Sequence, residues 1–231
     1  MSIFAIGDLH LCSTGEKPMS VFGDQWDNHF EKIRAHWLDQ IGKDDVVLIP
    51  GDISWAMQME QARPDLDSIA QLPGTKVLIR GNHDFWWSSI GKLRQLLPAS
   101  TIALQNDSIL LEGTAICGTR GWTFPSPAMP LEQQELKIYQ RELLRLEMTL
   151  SDARRKAPNE PLIAMMHFPP LLNECQDTEY TRLMEKYRVD QVVYGHLHGM
   201  GIRNGFQGTH NGVLYRLTSC DAIGFKPVQI I

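Results

Sequence analysis

Apolar residues in this chain come in short blocks, and nearly every block runs into a polar cluster. Residues 3–6, 46–49, 76–79, 162–166 and 189–194 are apolar runs of strand length. Between the first two, Phe30, Ile33, Trp37, Leu38 and Ile41 recur at helical spacing and predict a helix over about 25–41, with Gly42 placed as its C-terminal stop. A second helix is expected over 58–72, ended by Pro73-Gly74. Strand, helix, strand, helix, strand is the alternation of an α/β domain with parallel strands.

After a short helix over 90–97 the pattern changes. Residues 101–104, 108–111 and 114–117 are short runs separated by Asn106-Asp107 and Glu112-Gly113, turn pairs that predict two hairpins. Leu136, Tyr139, Leu143, Leu146 and Leu150 then mark the longest helix, about 131–156, with charged residues on its other face. A helix over 178–187 follows, and Val213, Tyr215, Leu217 and residues 228–231 read as closing strands. No repeat or linker interrupts the chain, so residues 1–231 are read as one domain with two sheets.

Composition narrows this only a little. A formal charge of −5 disfavours a general grip on extended nucleic acid, which needs clustered Lys and Arg. Four scattered cysteines without CxxC spacing read as thiols in a reducing compartment, with Cys12 as a loop thiol. Met1 leads straight into a strand, with no cleavable leader pattern and no membrane-length apolar run, so the expected location is cytoplasmic and off the membrane.

The chemistry sits at the strand ends. The apolar runs lead into Gly7-Asp8-Leu9-His10, Pro50-Gly51-Asp52, Arg80-Gly81-Asn82-His83-Asp84, His167 and Gly195-His196-Leu197-His198. In parallel sheets ligands collect beyond the carboxyl ends of the strands, so these five tips are expected to converge. Asp, His and Asn without Cys form an oxygen and nitrogen donor set suited to Mn, Fe, Zn or Ni. Asp8, His10, Asp52, Asn82, His167, His196 and His198 are too many for one ion and fit two ions that share a carboxylate.

In this order, Asp-x-His, Gly-Asp, Gly-Asn-His-Asp, an isolated His and Gly-His-x-His resemble the calcineurin-like metallophosphoesterase superfamily, and the flanks are similar to small bacterial members of it. The resemblance implies a four-layer α-β-β-α sandwich with two mixed sheets and a metal site at the strand C-terminal ends. It implies that Asp8, His10, Asp52 and His198 hold one ion and that Asp52, Asn82, His167 and His196 hold the other, with Asp52 bridging. The ions would be divalent or trivalent Mn, Fe or Zn, with manganese favoured. His83 would be the general acid beside the leaving oxygen, with Asp84 orienting it.

The implied activity is dimetal-dependent hydrolysis of a phosphoester, a diester slightly before a monoester, by a metal-bridging hydroxide. The partner would be a small phosphorylated molecule, a nucleotide among the candidates; the sequence leaves the oligomeric state open. Competing readings are a non-catalytic interaction scaffold of the same fold and a nuclease. Around the core set, Arg120 is a candidate for a phosphate oxygen or for a carboxylate partner. Trp86 and Trp122, with Trp55 and Trp87, are candidates for a stacking wall or for the core. His29, His36 and His210 are read as bystanders.

Overall fold

The computed structural model describes residues 1–13, 15, 17–126, 130–173 and 177–231. Cys175, read as a scattered thiol, lies outside the described residues. The elements run β1 (Ile3–Ala5), α1 (His29–Gln40), β2 (Val46–Ile49), α2 (Met59–Ala70), β3 (Thr75–Leu78), α3 (Ile90–Leu96), β4 (Thr101–Ala103) and β5 (Ser108–Leu111). They continue with β6 (Thr114–Thr119), α4 (Gln133–Lys156), β7 (Leu162–Met166), α5 (Glu179–Lys186), β8 (Gln191–Tyr194), β9 (Gly208–His210), β10 (Val213–Leu217) and β11 (Val228–Gln229).

Two mixed sheets result, in the orders β11-β1-β2-β3-β4 and β5-β6-β7-β8-β10-β9. The central strands of both are parallel, while β11, β5 and β9 join antiparallel at the edges. Period-two alternation divides each central strand between two cores. Ile3, Ala5, Leu48 and Val77 of the first sheet meet Ile116, Ile163, Met165 and Val193 of the second in one buried cluster between the sheets. Phe4, Val47, Ile49 and Leu78 face outward onto Ile33, Trp37, Leu66, Ile69 and Leu93 of α1, α2 and α3. Cys117, Leu162, Ala164 and Val192 face outward onto Leu146, Leu150, Tyr180 and Met184 of α4 and α5. Helices, sheet, sheet, helices is the four-layer sandwich implied by the sequence.

Two sequence expectations need correcting. Glu112-Gly113 does form a tight hairpin turn, with φ of 45° and 79°, pairing Leu111 with Thr114. Asn106-Asp107 does not join a hairpin: β4 belongs to the first sheet and β5 to the second, so this turn carries the chain between layers. The helix expected over 25–41 is broken. A short 3-10 turn, Asp24–Trp26, precedes α1, and Asn28 between them is left-handed (φ 51°). Trp26 is thereby turned inward and buried.

The sheets are stitched together at the end where the motifs lie. Gly7 donates its N–H to the Thr218 carbonyl at 2.7 Å, and Cys220 donates back to the Gly7 carbonyl at 3.0 Å, linking the exit of β1 to the exit of β10. No helix among the described residues is long and apolar enough to cross a membrane.

Candidate metal centre

The five polar tips meet. Backbone bonds run the first two side by side, with Asp8 N–H to the Gly51 carbonyl and His10 N–H to the Asp52 carbonyl, both at 3.0 Å. The backbone N–H of His83 donates to Asp52 Oδ1 at 2.8 Å, which brings in the third tip. The backbone N–H of His196 donates to both Asp8 oxygens, at 3.1 and 3.0 Å, which brings in the last. Asp8, His10, Asp52 and His196 all have left-handed backbones, with φ of 57°, 45°, 51° and 73°. Such conformations cost about 1–3 kcal/mol each and gather where surrounding structure enforces a site.

Two glycines are required by closeness alone. A Cβ on Gly81 would overlap Asp52 Oδ1, and one on Gly195 would overlap Asp8 Oδ2. The Gly preceding Asn82 and the Gly preceding His196 thus make room for the carboxylates.

The donor atoms form two groups. In the first, His10 Nε2 and His198 Nε2 face each other at 3.3 Å, and His198 Nε2 lies 3.7 Å from Asp8 Oδ1. In the second, His167 Nε2 lies 2.6 Å from Asn82 Oδ1, 3.2 Å from His196 Nδ1 and 3.4 Å from Asp52 Oδ2. Asp52 Oδ2 is also 3.8 Å from His10 Nε2, so this carboxylate stands between the groups.

Tautomers decide what these contacts mean. His167 Nδ1 lies 3.1 Å from the Pro50 carbonyl, which can only accept, so Nδ1 carries the proton and Nε2 presents a lone pair. That lone pair points at two oxygens and another imidazole nitrogen. His198 Nδ1 is held by Asp221 Oδ1 at 2.8 Å, so Nε2, turned toward His10, is the atom left to carry a proton or bind a metal ion. Lone pairs converging on lone pairs are unfavourable unless a cation sits among them, and the donor set fits divalent metal ions.

The electrostatics agree. Burial pushes the Asp52 carboxyl up to about 9, reinforced by the charges of Asp84 and Asp8. Burial acts the same way on Asp8, but bonding and charge from His198, His167 and His10 outweigh it and hold that carboxyl well below the ordinary range. Burial lowers His10 and His167 and brings His196 down to about 3, so these rings are neutral donors. His198 is pushed the other way, to about 10, because Asp221 and Asp8 outweigh its burial. Asp8 and Asp221 thus hold positive charge on a half-buried imidazole, so this end of the site attracts a cation.

The groups open into a cleft of about 280 Å³ lined by His10, Asp52, His83, His196 and His198 together with Met19, Phe22, Trp26 and Trp55. His83 stands at 4.4 Å, ring to ring, from Trp55. Its ring nitrogens have no hydrogen-bond partner among the described residues. Burial and the neighbouring imidazole of His167 lower its pKa, opposed by the charge of Asp8.

Four residues named as site candidates do not line this cleft. Asp84 does not orient His83. It is fully buried, and Oδ1 accepts the N–H groups of Ile53 (2.9 Å), Ser54 (3.2 Å) and the Trp86 indole (3.0 Å), while Oδ2 accepts Gly81 N–H (2.8 Å). It ties the Asp52 loop to the Asn82 loop. Trp86 is 2% exposed, with its indole spent on Asp84, so it belongs to the core and not to a stacking wall. Trp122 packs on Phe168, which in turn covers His196, and so stands one ring removed from the donors. Arg120 stacks over Trp122 and pairs with Glu142 at 3.4 Å, outside the cleft.

Sequence reading also missed three residues. Asp221 holds His198; Trp26 packs edge-on against both His10 (6.2 Å) and His198 (5.6 Å); and His29 bonds the Leu9 carbonyl at 2.9 Å beneath His10. Each lies outside any motif. Trp26 and His29 were placed in the expected helix over 25–41, and His29 was read as a bystander.

Comparison with known proteins follows the same line. No curated protein matches the chain. A crystal structure of a protein of unknown function, AQ665 from Aquifex aeolicus, superposes with a TM-score of 0.54 at 15% identity, covering 99% of this chain and 95% of that one, a likeness of fold. Residues 1–200, which include every donor described above, match the family of calcineurin-like phosphoesterases, metal-dependent hydrolases of phosphoester bonds, and the chain belongs to that family.

Proposed function

We propose that the chain hydrolyses a phosphodiester of a small organic molecule, with Asp8, His10, Asp52 and His198 holding one metal ion and Asp52, Asn82, His167 and His196 the other. Manganese, iron and zinc all suit this oxygen and nitrogen donor set, and manganese is the one favoured on the family resemblance. Bound there, two such ions would polarise the phosphoryl group and make water nucleophilic near neutral pH. The observation that carries the reading is the pair of facing lone-pair groups on the floor of the cleft, with Asp52 between them.

The chain's own residues supply the rest. Water adds to phosphorus and one ester P–O bond breaks. The His83 ring, open to the cleft and with no hydrogen-bond partner among the described residues, gives its proton to the departing oxygen. Met19, Phe22, Trp26 and Trp55 give the cleft an apolar lining beside the donors, which suits an organic group on the ester and favours a diester over a bare monoester.

Turnover of bis(4-nitrophenyl) phosphate and 4-nitrophenyl phosphate in Mn²⁺ tests this. The diester should be the better substrate, and Asp52→Asn or Asn82→Ala should abolish its turnover. Wild-type rates in those variants would remove the assigned site.

A further inference from the structure

A second cleft, of about 190 Å³, shares no lining residue with the metal cleft and carries four arginines, Arg80, Arg120, Arg141 and Arg145, around a single carboxylate, Glu142. Glu142 is fully buried on α4 and needs compensation, which Arg145 at 2.7 Å and the Thr119 hydroxyl at 3.1 Å already provide. Arg120 at 3.4 Å and Arg141 at 4.0 Å are additional, and Arg80 has no carboxylate partner among the described residues. Arg80 is held by donating Nε to the Asp84 carbonyl at 3.1 Å. A structural role for Glu142 therefore explains one arginine and leaves three positive charges converging.

The convergence is close. Burial lowers the Arg120 pKa, and although Glu142 opposes this, the neighbouring charges of Arg80, Arg141 and Arg145 all push it the same way. In a chain with a net charge of −5, gathering four guanidiniums around one carboxylate is costly, and their planar forks match phosphate oxygens. Gln105 adds to this. Its Oε1 accepts the Trp87 indole N–H at 2.9 Å, which leaves its amide nitrogen as a further donor at the cleft. The volume lies below the roughly 300 Å³ at which ordinary small-molecule sites begin, so it suits a compact anion more than a whole nucleotide.

We propose that this arginine cleft binds a phosphate group, free or carried on a small molecule, at a site separate from the metal centre. It does not rest on the catalytic reading: the cleft would bind phosphate whether or not the metal centre turns over an ester.

Calorimetric titration of the full chain with inorganic phosphate, with and without EDTA, tests the site, and a parallel titration with adenosine monophosphate separates free from carried phosphate. Phosphate binding should persist after chelation and weaken about 10-fold or more in Arg141→Glu, whose side chain is 55% exposed and marginal to the Glu142 pairing. Gln105→Glu, which keeps an acceptor for Trp87, should weaken it likewise; Arg141→Lys should retain most of it. Tighter binding of the monophosphate than of phosphate would identify the carried form, and the reverse the free ion. Phosphate binding that vanishes with EDTA, or that both charge variants leave unchanged, would overturn the proposal.

Discussion

His198 Nδ1 lies 2.8 Å from Asp221 Oδ1, and the second oxygen of the same carboxylate accepts the backbone N–H of Gly199 at 3.0 Å. Asp221 is thus held at both ends, and it fixes the His198 ring with its Nε2 turned toward His10. A carboxylate behind a metal-binding imidazole sets tautomer and basicity, and losing one costs about 10–100-fold in metal affinity. Asp221→Ala should weaken Mn²⁺ binding by that factor, read as free Mn²⁺ by paramagnetic resonance, with activity regained at raised metal concentration. Unchanged affinity would leave Asp221 without this role.

Asp84 makes a different prediction. Its carboxylate accepts four N–H groups from two loops while fully buried. An asparagine there keeps the shape but turns an NH₂ toward at least one of those donors. Bonds to a charged acceptor contribute about 1.5–3 kcal/mol, so Asp84→Asn should lower stability by about 3 kcal/mol in denaturant unfolding. A loss of activity with stability intact would instead restore a direct role toward His83.

These two carboxylates show what the sequence made legible. The donors were readable because each sits in a short run at a strand end, where chain order and topology place it without knowledge of the loops. Asp221 had no such signal: it follows β10, which lies parallel beside β8, and only that pairing carries it to His198. Asp84 was visible as part of a motif, but two of the four groups that define its job, the Ile53 and Ser54 N–H groups, are 31 and 30 positions away. Asn106-Asp107 was read correctly as a turn, since Asn106 has φ 61° and Asp107 Oδ1 accepts Gln105 N–H at 2.9 Å. Turn chemistry does not record which sheet the next strand joins. Trp55 and Trp86 both follow a motif, and only the packing of the two loops sends one to the cleft and the other to the core.

Gly195 should be intolerant of even one added methyl. A Cβ there would overlap Asp8 Oδ2, and the neighbouring His196 N–H would still pull that carboxylate toward it. Displacing a positioned catalytic group by about 1 Å costs on the order of 10²-fold in rate. Gly195→Ala should therefore lose about that much turnover while its circular dichroism spectrum remains that of the wild type. Full activity would mean that Asp8 has room to move and is not held where the structure places it.

The final prediction concerns pH, and its sign follows from the role proposed for His83. A general acid must be protonated to act, and burial together with the His167 imidazole lowers the His83 pKa from its ordinary value of 6.5. The protonated fraction therefore falls at lower pH than for a free histidine, and cations held by Asn82 and Asp52 beside it would move it the same way. Turnover of an alkyl diester, whose leaving oxygen needs the proton, should decline as pH rises through that lowered pKa. Turnover of a nitrophenyl diester, whose leaving group departs as a stable anion, should show no such limb. His83→Gln should slow the alkyl diester by about 10²–10⁴-fold, remove its alkaline decline and leave the nitrophenyl substrate nearly unaffected. Equal losses on both substrates would show that the ring binds substrate and does not transfer a proton.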